Sequence, residues 1–193
     1  DSDGNPFKTR DGGTKPLSEL FKDTYDYVKK INNALDDSVI SQLTNSVLTY
    51  SDLITNRKTD YKFDLEKFTN VNGKTGIYVQ YSQVRAKKLL ENIEIKNSEL
   101  KKLTLKDVDK ELLSKLFLFS YFLDQSALLN EPHHLANYLY EISNLFNQFY
   151  ESEKILEIDN SDYLLSKIYI TKLFLTTSQN VMWCLGITPV NKM

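Results

Sequence analysis

EPHHLANYLYEISNLFNQFY, residues 131–150, holds both of the chain's histidines and five aromatic residues in twenty positions. Leu135, Tyr138, Leu139, Ile142, Phe146 and Phe149 recur at three- and four-residue steps, which puts them on one face of an α-helix. Asn137, Glu141, Asn144 and Gln148 form the polar stripe opposite. Pro132 suits a first helical turn, where its missing N–H goes unused. The stretch is therefore a core helix first. His133 and His134 are successive, so a helix points them about 100° apart, a poor arrangement for chelating one ion together. With no cysteine nearby, two solvated histidines at a helix start are preferred to a zinc site, and no metal ligand is expected. Tyr150 differs from the rest. It stands at the helix end, off the centre of the apolar stripe and just before the charged ESEK. Two readings stay open for it: a rim tyrosine with its hydroxyl in water, or a platform for an unstacked base, a contact worth about 1–3 kcal/mol.

The same periodicity extends in both directions. Leu17, Leu20, Phe21, Tyr25, Val28 and Ile31 mark a helix, and a second runs from about Ser38 to Leu53. Tyr61 and Phe63 alternate with polar neighbours, which suggests a short extended segment. VNGKTG, residues 71–76, reads as a glycine hinge before the helix IYVQYSQVRAKKLLENI. One long helix is expected from Lys106 to Leu129, with Val108, Leu112, Leu116, Phe119 and Leu123 as its stripe. A final helix from Ser161 to Leu185 stops at Gly186 and Pro189. No solenoid-type repeat is visible. The fold class is all-α, a bundle of helices joined by short turns.

Composition narrows the function classes. The 193 residues are 41% hydrophobic and 26% charged, ordinary for a globular chain. A net charge of −2 argues against gripping nucleic acid through bulk positive charge, but leaves room for a local patch and stacked bases. The single cysteine, Cys184, excludes an internal disulfide and suits a reducing cytoplasm. No run of about 18 purely apolar residues marks a membrane span, and no signal-peptide pattern opens the chain. The first residues, DSDGNPFKTRDGGT, have loop composition, so a piece cut from a longer protein is expected.

Four stretches, in order, resemble the C-terminal region of class I arginyl-tRNA synthetases, including their helical, DALR-type anticodon-binding domain. They are PFKTRDGGTKPLSELF, YSDLITNRKTDYKFDLEKF, GKTGIYVQYSQVR, and EPHHLANYLYEISNLFNQFY with the ending LGITPVNKM. Together they cover nearly the whole chain. Two departures stand out. Ile77 stands where that family often has Pro. Val190, Asn191 and Lys192 stand where a Pro-Glu-Arg run is common, and Pro189 comes one position early.

The resemblance implies three regions: residues 1–16 as a remnant of the catalytic signature loop, 17–76 as a helical connecting region, and 77–193 as the anticodon-binding helical bundle. It implies a parent enzyme that joins arginine to tRNA with ATP and Mg; this piece would hold no cofactor and be inactive alone. Lys8 and Arg10 would belong to the phosphate-facing signature loop, where cations stabilise charge developing in the transition state. Tyr150 and Met193 would border the anticodon pocket. Asn56, Arg57 and Tyr61 would flank it, and Arg85, with Lys87 and Lys88, would meet phosphates. The implied partners are tRNA with an arginine anticodon and the catalytic domain of the same chain, with no membrane, a monomeric state and a cytoplasmic location. The helix pattern alone also suits the bundles of cysteinyl- or glycyl-tRNA synthetases, or a helical protein-interaction module.

Overall fold

The structure, a computed structural model, describes residues 16–60, 64–93 and 102–193. The extended segment expected at Tyr61 and Phe63 lies outside them. The helices are α1 (Leu17–Ile31), α2 (Asp37–Leu53), α3 (Leu65–Phe68), α4 (Gly76–Glu91), α5 (Asp107–Leu116), α6 (Phe119–Leu129), α7 (His133–Glu151) and α8 (Ser161–Cys184). A single 3₁₀ turn, Ile155–Glu157, joins α7 to α8. No strand occurs among the described residues.

The opening stretch lies at the centre of the bundle. α7 packs against α4, α5, α6 and α8 at once, so its apolar stripe has no face left to solvent. Leu139, Ile142, Phe146 and Phe149 are fully buried, and the Phe146 ring stacks on Phe174 of α8 with centroids 4.1 Å apart. At about 25 cal/mol per Å² of apolar area, such side chains contribute roughly 1.5–3 kcal/mol each. A second core lies between α1, α2 and α4, built on Val28, Ile40, Leu43, Val47, Ile77 and Val84.

The glycine hinge has a steric cause. α4 crosses α2 so closely that a Cβ at Gly76 would overlap the Ser46 carbonyl. Only glycine permits that approach. Thr75 caps the helix, its Oγ1 accepting from the Tyr78 N–H at 3.1 Å. At the other end of the bundle, Gly186 (φ +72°) closes α8. The Ile187 N–H donates to the Met182 carbonyl at 2.8 Å and the Gly186 N–H to the Trp183 carbonyl at 3.1 Å, which is a Schellman stop.

One expectation fails. The single helix expected over Lys106–Leu129 breaks at Phe117–Leu118 into α5 and α6. The cause lies on another helix: the buried Tyr138 hydroxyl donates to the Leu116 carbonyl at 3.1 Å. The Leu118 N–H turns back to Lys115, three residues away, so the ladder tightens and the chain kinks. By length and composition Asp107–Leu129 is long and apolar enough to cross a membrane. Broken into helices of 10 and 11 residues, each half falls well short of the roughly 20 residues a span needs.

Candidate nucleic-acid interface

Arg85 and Tyr150 meet on the seam between α4 and α7. The guanidinium lies over the Tyr150 ring at 4.4 Å and over the Tyr81 ring, one turn earlier on α4, at 5.0 Å. Its Nη1 donates to Asn147 Oδ1 at 2.9 Å and to Glu151 Oε1 at 2.8 Å. Asn147 is turned for this by its own donation to Ser82 Oγ at 2.8 Å. Arg85 is thus a planar cation clamped between two rings, and its side chain is only 19% exposed. The phosphate-facing role expected for it has a competitor in Glu151. What Arg85 does in this arrangement is fix the Tyr150 ring.

Tyr150 forms one wall of an open cleft of about 440 Å³. Leu89, Ile155 and Leu156 give the cleft an apolar lining, and Glu151, Glu153, Lys154 and Glu157 add charged groups to it. The 3₁₀ turn that makes the far wall is tied down through Glu153. This carboxylate receives Lys106 Nζ at 2.7 Å and the Tyr163 hydroxyl in a short hydrogen bond, and lies 3.0 Å from Lys167 Nζ. Burial alone would raise the pKa of Glu153. The contacts from Lys106, Tyr163 and Lys167 outweigh that and hold it down at about 2. Lys167 is itself fully buried, 2.7 Å from the equally buried Asp109 Oδ1 and over the Phe149 ring at 4.1 Å. The ammonium is off-axis for hydrogen bonding to these carboxylates, so the contact is mainly ionic.

Met193 does not line this cleft. It packs, half-buried, on the second core. The chain's last residues are held there by Gln80, which accepts from the Val190 N–H at 2.9 Å and donates to the Thr188 carbonyl at 2.8 Å. Lys87 Nζ adds a donation to Asn191 Oδ1 at 2.7 Å, and Lys192 pairs with Asp36. Gln80 and Lys87 lie on a different face of α4 from Tyr81 and Arg85. The helix therefore carries Tyr150 on one side and the tail on the other.

Asn56 and Arg57 lie in the turn after α2. Asn56 Oδ1 accepts from the Lys58 N–H at 2.9 Å, while Arg57 is exposed. Lys88 is exposed near the end of α4. Tyr61, Lys8 and Arg10 lie outside the described residues. The histidines behave differently from expectation. Being successive does not separate them: at the first turn of α7 their rings come within 4.1 Å, with Glu131 beside them. The χ angles, which helix spacing ignores, bring them together. Burial first, and then the neighbouring His134, push the His133 imidazole below the ordinary histidine value. Lys58 and His134 hold Glu131 below the ordinary carboxylate value.

Sequence reasoning missed the Glu153–Lys167–Asp109 group and the clamp at Gln80. The first gives no local signal, because its three members come from different parts of the chain. The second had one: a Gln one turn inside a glycine-hinged helix.

Comparison with known proteins gives these features a family. The DALR anticodon binding domain model matches residues 79–193, more than half of the chain. The arginine–tRNA ligase of Francisella tularensis subsp. novicida is 35% identical over 175 residues, covering 86% of this chain and 30% of the relative. That of Agathobacter rectalis is 34% identical over 195 residues, covering 90% and 32%. The chain thus spans about a third of the length of the curated relatives it matches. The Thermus thermophilus arginyl-tRNA synthetase superposes over 98% of this chain and 34% of its own, with a TM-score of 0.88 at 19% identity. The Plasmodium falciparum enzyme gives 0.78 at 23% identity over 92% and 33%. At those identities the two solved structures speak for the fold, and the matched α4–α8 bundle speaks for the lineage: this chain belongs to the DALR anticodon binding domain family.

Proposed function

We propose that this chain reads the anticodon of an arginine tRNA as one part of an arginine–tRNA ligase. The observation that carries the reading is the Tyr150 ring, capped by the Arg85 guanidinium and lining an open cleft, in a chain of an anticodon-binding family. Anticodon bases are single-stranded and splay outward, so ring faces and base-edge acceptors select them without a basic surface. The carboxylates lining the cleft suit exocyclic amino donors and disfavour phosphates, which fits a net charge of −2. Arg57 and Lys88, both exposed, suit phosphate contacts. Met193 and Asn56 would meet the loop beyond the cleft, and Lys8 and Arg10 belong to the reaction of the longer chain.

The parent reaction consumes ATP with Mg and takes place in the cytoplasm. This chain, which has no strand among its described residues to build an ATP-binding sheet, is inactive by itself and monomeric. ATP–pyrophosphate exchange above background by the purified chain would refute that part. Filter binding against arginine tRNA and an anticodon-substituted control tests the rest. The matched tRNA should bind more tightly, with affinity falling as salt rises. Equal affinity for both removes the proposal.

A second reading, a helical protein-interaction module, has one observation in its favour. α6 buries none of its residues fully, and Phe117 and Leu128 beside and within it are 71% and 76% exposed. It predicts that Phe117→Ser leaves tRNA binding unchanged and abolishes association with a protein partner.

A further inference from the structure

We propose that Glu131, His133 and His134 form a binding site for a borderline transition-metal dication, with Zn²⁺ the best match to the donors. One ligand atom from each residue lies within 4.8 Å of the other two, and all three residues are half-buried. One pair, His134 Nε2 and Glu131 Oε2, is 3.2 Å apart. Two ligands at about 2.0 Å on one tetrahedral ion stand about 3.3 Å from each other, so this edge of the coordination polyhedron already exists.

The backbone assembles the site before any ion arrives. α6 ends on Asn130 in the left-handed region (φ 52°), and the Glu131 N–H returns to the Ser126 carbonyl at 3.1 Å. Pro132 then begins the next helix, its carbonyl accepting from Ala136 at 3.0 Å. The turn is fixed at both ends, which keeps the carboxylate against the imidazoles. One ring nitrogen, His133 Nδ1, is sealed from solvent and has no hydrogen-bond partner. Buried polar atoms are rarely left so, and an unmet nitrogen on one residue of this cluster calls for a partner, which a bound ion would supply. Two imidazoles and a carboxylate select zinc or its neighbours over Mg²⁺ or Ca²⁺, and leave a fourth position for water or an incoming group.

Two features oppose an ion. The positive end of the α7 dipole faces it, and Lys58 Nζ occupies Glu131 Oε1 at 3.1 Å. Lys58 is 72% exposed and free to swing away, so it acts as a competitor for Glu131. This makes the proposal specific: removing the lysine should improve the site.

The test is calorimetric titration with Zn²⁺, backed by the visible absorption of Co²⁺, on the whole 193-residue chain. A Cys184→Ser background removes the exposed thiol as a rival ligand. The expected result is saturable binding of one ion. His134→Ala and Glu131→Gln should each weaken it by roughly tenfold or more, and Lys58→Ala should tighten it. Equal affinity in the parent and in a His133→Ala/His134→Ala variant overturns the proposal, as does a Co²⁺ spectrum without tetrahedral intensity. Glu131→Gln preserves shape, so it decides the matter if a histidine variant loses its far-ultraviolet dichroism.

Discussion

Two cations flank the same cleft, and each lies over aromatic rings beside a carboxylate. Lys167 sits over Phe149 and Tyr163 with Asp109 and Glu153; Arg85 sits over Tyr150 and Tyr81 with Glu151. Their chemistry is alike and their burial is not. Lys167 and Asp109 are wholly removed from water, whereas Glu151 is 64% exposed. Desolvation makes the first group an all-or-nothing structural element. Hydration leaves the second adjustable, able to trade its partners with an incoming ligand. The cleft is thus rigid on its 3₁₀ side and adaptable on its Tyr150 side.

The largest effect should follow from removing Lys167. Lys167→Ala leaves Asp109 buried without its cation, and should destabilise the chain by about 3–5 kcal/mol. Urea unfolding followed by circular dichroism measures it. Lys167→Met combined with Asp109→Leu should recover much of the loss, because an apolar pair of similar volume carries no desolvation penalty. If Lys167→Ala costs no more than an exposed substitution, the contrast drawn above is wrong.

Acid separates the two groups next. The Glu153 pKa is held at about 2 against an ordinary value of 4.5. A depressed carboxylate stabilises the fold fully above its ordinary value, and that share disappears as pH falls from about 5 towards 2. With the side chain 21% exposed, the share is on the order of 2–3 kcal/mol. Glu153→Gln should flatten the acid limb of a stability–pH profile, while Glu151→Gln should leave it intact. Similar profiles for both variants would erase the distinction.

These two groups also show what the sequence makes readable. α7 was legible because six apolar residues recur on one face, and Gly76 was legible as a hinge, though not as a crossing point with Ser46. The α5–α6 break was not, since Tyr138 lies 22 residues from the carbonyl it takes. Tyr150 stood out as a rim aromatic. Arg85 read as a phosphate contact because its partners, Asn147 and Glu151, are 62 and 66 residues away. Lys167 gave no sign at all: a lysine in a helix reads as solvated until its neighbours are known. Periodicity reports which face is apolar, and pairing across helices is decided by tertiary contact.

On the adaptable side, Tyr150→Ala should cost about 1 kcal/mol or less in stability, since the ring is only partly buried. It should cost about 1–3 kcal/mol in binding to matched tRNA, the range for losing one stacked base. Paired urea and filter-binding measurements expose the asymmetry. A variant that loses stability without losing tRNA affinity would make Tyr150 a packing residue.

The smallest effect tests the clamp itself. Arg85→Lys keeps the charge and the reach toward Glu151, which is 64% exposed, so stability should fall by only about a few tenths of a kcal/mol, the range for ion pairs open to water on one side. The ammonium is not the broad delocalised cation that lies over two rings while its Nη1 meets both Asn147 and Glu151. Tyr150 would then keep its place in the bundle but lose its fixed tilt. Discrimination between matched and anticodon-substituted tRNA should drop while affinity for the matched tRNA changes little, because orientation serves selection more than attachment. Arg85→Ala, which also leaves Glu151 unpaired, should lose both. If Lys at this position discriminates as well as Arg, ring orientation is not what selects the base, and charge alone at the seam suffices.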